Sequence, residues 1–87
     1  MEMSDRFAAN LVKARHAAGL SQEELAFRAG VHRTQVSLLE NGNRLPRFET
    51  LIKLAGALGV SVADLTDGIS WEPIVSISGG IKVADPK

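Results

Sequence analysis

The sequence predicts an all-α bundle of five short helices followed by a short C-terminal β-hairpin, and three observations carry that prediction. Apolar residues recur at spacings of three and four from Phe7 to Leu65, the mark of helices that bury one face. Two serines stand three residues before an acidic residue at the head of such a segment, as Ser21 does before Glu24 and Ser61 before Asp64, which is the signature of a capping box. Beyond Gly68 the period changes to alternation of apolar and polar residues, which belongs to strands.

Taken in order, helix 1 is expected from Ser4 or Asp5 to Ala18, with Phe7, Leu11, Ala14 and Ala18 stacked on one side. Ser4 is its expected cap and Gly19 its stop. Helix 2 starts at Ser21 and carries a narrow apolar face of Leu25, Ala26 and Ala29; so short a helix needs tertiary packing to exist. Gly30 supplies the left-handed exit, Val31 reads as a buried plug, and helix 3 runs from about His32 to Glu40 with Asn41-Gly42 closing it. Helix 4 begins near Phe48, because Pro46 holds Leu45 out of helical conformation, and turns Leu51, Leu54, Ala55 and Leu58 inward before Gly59 ends it. A short fifth helix opens at Ser61 and delivers Val62 and Leu65 to the core, and Asp67-Gly68 closes the bundle. The expected division is therefore a bundle over residues 1–68 and a tail over 69–87.

In the tail, Ile74-Val75-Ser76-Ile77-Ser78 and Ile81-Lys82-Val83 alternate around Gly79-Gly80, a hairpin pattern with Val75, Ile77, Ile81 and Val83 on one face. Pro73 marks a break or an edge position. A lone hairpin is marginal in water, so this face and Trp71 need a cover. Pairing with a second copy of the chain is the favoured cover, since an open edge strand invites its twin; the bundle of the same chain is the other.

At 100° per residue, helix 3 turns Val36 and Leu39 inward and Thr34, Ser37 and Leu38 outward, with Arg33 and Gln35 on the flanks. Arg, Thr, Ser and Gln without a Lys–Glu ladder form a surface suited to hydrogen-bonding base edges in a DNA groove. Base readout is expected mainly from Arg33, Thr34 and Leu38, with Gln35 and Ser37 in support. Leu38 either touches a thymine methyl group or belongs to an apolar surface patch. Arg47 is a cation at the start of helix 4, where it opposes the helix dipole; facing a phosphate would account for it. Asn43 and Arg44 share its loop and are expected on the DNA backbone with it.

The ordered set Leu20-Ser21-Gln22, Glu24-Leu25-Ala26, Ala29-Gly30-Val31, Val36, Leu39-Glu40-Asn41-Gly42, Pro46, Leu54-Ala55 and Ala57-Leu58-Gly59-Val60 resembles the phage-repressor and Cro type of helix-turn-helix domain, the XRE family. The resemblance implies a five-helix DNA-binding fold with helix 3 as recognition helix. It further implies that Gln22, at the head of helix 2, meets a phosphate and that Arg15 and Glu40 form a buried ion pair tying helix 1 to helix 3. His32 stands where such domains usually carry a capping Ser or Thr, and it joins the residues expected near phosphate.

Composition narrows the function. The 87 residues contain no cysteine and two scattered histidines, which leaves no thiolate metal site, no disulfide, no cofactor site and no evident catalytic constellation. Formal net charge is zero, yet residues 13–53 carry a surplus of three positive charges and residues 54–87 a deficit of two, so a basic front can steer toward phosphates. No apolar signal or spanning segment is evident, and a cytoplasmic protein is expected. Two functions fit: a transcription regulator, most simply a repressor, binding a near-palindromic double-stranded DNA site as a homodimer; or an antitoxin-like module whose tail binds a partner protein while its helix-turn-helix controls its own operon.

Overall fold

The computed structural model describes residues 2–74 and 79–84. Within them the order is α1 (Met3–Ala17), α2 (Gln22–Ala29), α3 (Arg33–Glu40), α4 (Phe48–Leu58), α5 (Val62–Leu65), β1 (Ile69–Glu72) and β2 (Gly80–Val83). Both capping boxes form. Ser21 Oγ accepts from the amide of Glu24 at 3.0 Å while Glu24 accepts from the Ser21 amide at 2.9 Å, and Ser61 and Asp64 repeat the exchange at 3.1 and 2.9 Å. These bonds hold the Glu24 and Asp64 carboxyls below the usual carboxylate range, the backbone amide of the serine being the larger cause in each.

α1 departs from expectation at its start. Ser4 lies inside the helix and Glu2 is the N-cap, with no side-chain capping bond. The Glu2 carbonyl accepts from the amides of Asp5 and Arg6, both at 3.1 Å, so the first turn closes ahead of the serine.

Phe7, Leu11, Leu20, Leu25, Ala26, Ala29, Val36, Leu39, Leu54, Ala55, Leu58 and Leu65 form one buried cluster, with Val31, Leu51 and Val62 half-buried against it. α1 packs on α3 and α5, while α2 packs on α3 and α4, so the α2–α3 pair is gripped from both sides. Gly30 takes φ +68°, and the left-handed turn lets the amide of Val31 reach the Ala26 carbonyl at 3.0 Å. That bond sends the chain into α3 after only three residues.

The hairpin is present with a different first strand. β1 is Ile69–Glu72, paired antiparallel with β2 so that Ile69 faces Val83, Ser70 faces Lys82, Trp71 faces Ile81 and Glu72 faces Gly80. Gly80 is thus a strand residue, and Gly79-Gly80 is not a two-residue turn between strands. Val75 and Ile77, expected on the apolar face, lie outside the described residues. The choice of strand has a local cause: Ile69 packs against the bundle core, which anchors the arm that follows Gly68 directly, and Pro73, lacking an N–H, ends it.

Arg6 clamps the base of the hairpin to α1. Its guanidinium donates to the Asp67 carbonyl at 2.9 Å, the Ala84 carbonyl at 3.2 Å and the Asp67 carboxylate at 3.3 Å. Gly68 (φ +83°) lies beneath it, where a Cβ would come within 2.7 Å of Arg6 Nε. Asn10 adds bonds to the carbonyls of Leu65 and Asp67, both at 2.9 Å.

Candidate nucleic-acid interface

The head of α3 is polar and open. Arg33, Thr34 and Gln35 are exposed, whereas Val36 and Leu39 on the opposite side are buried. Ser37 and Leu38 are half-buried, and the Ser37 hydroxyl accepts from Asn41 Nδ2 at 3.5 Å. His32 is the N-cap without a side-chain capping bond, so the imidazole does not replace the hydroxyl that a Ser or Thr would bring.

Downstream, Asn43, Arg44 and Arg47 are exposed. The amide of Asn43 donates to the Leu38 carbonyl at 3.0 Å, folding the loop back onto α3. A depression of about 110 Å³ joins Gln35 of α3 to Arg44, Leu45, Pro46, Arg47 and Thr50. The fold thus brings one flank of α3 and two loop arginines to a common surface. Neither arginine forms a side-chain hydrogen bond or ion pair with the other described residues. Arg47 is the N-cap of α4 and has no capping bond there. Lys53, by contrast, is engaged with Glu49 at 2.9 Å.

Behind this surface lies a polar joint. Arg15 donates from Nε to Glu40 Oε2 at 2.6 Å, from NH2 to Glu40 Oε1 at 2.9 Å, and from NH1 to the Leu20 carbonyl at 2.9 Å. The two side chains are 12% and 4% exposed, so the fork is largely shielded from water. Gln22 Nε2 donates to the same Glu40 Oε1 at 3.0 Å. Burial alone would push the Glu40 carboxyl up, but hydrogen bonds from Arg15 and Gln22 and the charge of Arg15 outweigh it and hold the group below the usual range. The Gln22 side chain, expected toward phosphate, is therefore tied inward by one amide hydrogen, leaving its second N–H and the first backbone amides of α2 as donors.

Two features of this region lie outside the sequence expectations. Glu23 reaches across from α2 to Arg33, with Oε1 3.8 Å from Nε, a juxtaposition set by the angle between helices. Large apolar side chains also stand in solvent on α2 and α4, with Phe27 88%, Phe48 77% and Ile52 46% exposed; the i, i+4 spacing of Phe48 and Ile52 was the available signal.

In the tail, Ile69 and Val83 at the base are half-buried, while the next cross-strand pair, Trp71 and Ile81, remains 57% and 48% exposed. The hairpin's apolar face is thus covered at one end and open at the other. No helix among the described residues is long and apolar enough to cross a membrane.

The helix-turn-helix family profile matches residues 11–65, a span ending before β1. An uncharacterized HTH-type transcriptional regulator, y4dJ of Sinorhizobium fredii, is 42% identical over 65 residues, covering 75% of this chain and 84% of its own. The control protein C.SmaI of Serratia marcescens is 40% identical over 65 residues, 75% and 77% of the two chains. Among solved structures, the restriction-modification controller protein C.AhdI from Aeromonas hydrophila superposes with a TM-score of 0.69 at 39% identity, over 71% of this chain and 94% of that one. The clp gene regulator ClgR from C. glutamicum gives 0.70 at 32% identity, over 75% and 84%. With the α2–α3 geometry described above, these matches establish that the chain belongs to the XRE-type helix-turn-helix family of DNA-binding transcription regulators.

Proposed function

We propose that the protein binds a near-palindromic operator as a homodimer, with α3 in the major groove, and represses transcription by occupying the site. The observation that carries this reading is the shared surface of α3 and the following loop: a polar, open first turn of α3 beside two arginines with no ion-pair partner among the described residues, backed by the buried Val36 and Leu39 and the Arg15–Glu40 joint. Arg33, Thr34 and Leu38 are assigned to base edges, with Gln35 and Ser37 supporting, and Asn43, Arg44, Arg47, His32 and the head of α2 at Gln22 to phosphates. The Arg15–Glu40 pair holds α1 to α3 and has no direct DNA role.

One copy of α3 reads too few base pairs to be selective, and two copies would lie about 34 Å apart along one face of the duplex. The tail, residues 69–87, is assigned the assembly role through Trp71, Val75, Ile77, Ile81 and Val83, with residues 1–68 as the reading head. The exposed Trp71–Ile81 pair supports this assignment.

Titration of variants against cognate and scrambled duplexes tests the reading. Arg33→Ala should lose about 1–3 kcal/mol on the cognate duplex at one base pair and little on the scrambled one. Arg47→Ala should weaken both alike and reduce the salt slope by about one. Equal losses on both duplexes for Arg33→Ala would remove it from readout.

A further inference from the structure

Glu23 suits the dipole of its own helix but not a surface that faces phosphate. It lies in the first turn of α2, beside the face assigned to DNA, where a carboxylate repels phosphate. Its helix does not need it for capping, because Glu24 already closes the box with Ser21. What Glu23 touches is Arg33, the first residue of α3, whose own position is unfavourable: a cation at a helix N-terminus opposes the dipole, and His32 offers no capping bond there. The contact is made at Nε of Arg33, 3.8 Å from Glu23 Oε1. Nε is the inner nitrogen of the guanidinium. With a carboxylate on that edge, both terminal nitrogens are left to project as a fork, the geometry that matches O6 and N7 of guanine.

We propose that Glu23 is a specificity-determining positioning residue: it buttresses Arg33 through Nε so that the terminal fork meets a guanine, and its charge discourages Arg33 from settling on phosphate. The two side chains are 77% and 64% exposed, so the pair adds little to folding and its effect falls on selectivity. Free to swing, an arginine gains from any phosphate within reach. Held beside a carboxylate, it gains from a phosphate only by giving up an equivalent partner, whereas guanine is engaged without breaking the pair. This inference rests on the assignment of Arg33 to base readout.

The test uses the full chain and duplexes selected from a random pool, comparing wild type, Glu23→Gln, Arg33→Ala and the double variant on the selected site, on the site with the Arg33 base pair changed, and on a scrambled duplex. Glu23→Gln should raise affinity for the scrambled duplex about two- to fivefold, the scale of an exposed ion pair, and lower discrimination at the Arg33 base pair by a similar factor, with thermal stability unchanged. Adding Glu23→Gln to Arg33→Ala should cause no further loss of discrimination. Unchanged discrimination in Glu23→Gln, alongside relaxed discrimination in Arg33→Ala, would overturn the role of Glu23 alone. Unchanged discrimination in Arg33→Ala would overturn the readout assignment itself, and the buttress with it.

Discussion

The bundle and the tail are held in place by opposite means. Between Phe7 and Leu65 the structure closes around side chains such as Leu11, Leu25, Val36, Leu54 and Leu65, each with no exposed surface. Among the described residues of the hairpin only the base touches that core, and its position is fixed by polar contacts of Arg6 with Asp67 and Ala84, while Trp71 and Ile81 stand open. Burial of apolar surface gives the bundle its stability; the described part of the tail takes its orientation from a clamp and leaves the Trp71–Ile81 pair exposed. The proposed reading role needs α3 held rigidly, and the proposed assembly role needs a surface left for a second molecule.

The contrast is broken most severely in the core. Leu25→Ala should cost about 2–5 kcal/mol in denaturant unfolding, whereas Trp71→Ser should change the stability of the isolated chain by no more than about 0.5–1 kcal/mol. Comparable losses for the two would mean that the tail belongs to the same cooperative core.

Next in size is the polar joint. Arg15→Ala or Glu40→Ala alone should cost about 3 kcal/mol, because either leaves a largely buried charge without its partner, and replacing both with apolar residues should cost less than either. The Glu40 carboxyl is depressed in the folded chain, so its contribution is present above the unfolded pKa of about 4.3 and is lost as pH falls through the lower folded value. Acid unfolding of Glu40→Gln should therefore show a shallower pH dependence below about pH 4 than the native chain.

A smaller effect sharpens the comparison at the hairpin base. Gly68→Ala places a side chain at φ +83° against the Arg6 guanidinium, at a cost of about 1–2 kcal/mol. Amide exchange should accelerate in residues 69–72 and 80–83 and stay slow in α1 to α4. Uniform acceleration across the chain would show that the clamp supports the whole bundle.

The same division governs what the sequence reveals. Capping boxes join residues three apart, so Ser21 with Glu24 and Ser61 with Asp64 are readable locally, and the periodicity of Leu25, Val36, Leu39 and Leu54 marks the core. The hairpin register is different. Ile74 to Ser78 alternates as well as Ile69 to Glu72 does, and the pairing of Ile69–Glu72 with β2 depends on Ile69 meeting the core and Arg6 meeting residues 61 and 78 positions away. Likewise the inward tie of Gln22 to Glu40 and the reach of Glu23 to Arg33 depend on how helices cross, which no spacing along one helix encodes. Ser4 misled for a simpler reason: a good capping residue has no effect when the preceding carbonyl of Glu2 already closes the turn.

The most direct test of this division of labour is the mass in solution, and the binding to the selected operator, of the full chain against a chain ending at Gly68. The account predicts a dimeric full chain that binds both half-sites together, and a folded, monomeric truncation that binds one half-site weakly. A truncated chain that remains dimeric and binds the operator unchanged would contradict it, and would direct attention to the exposed Phe48–Ile52 stripe of α4 as the surface that joins two copies.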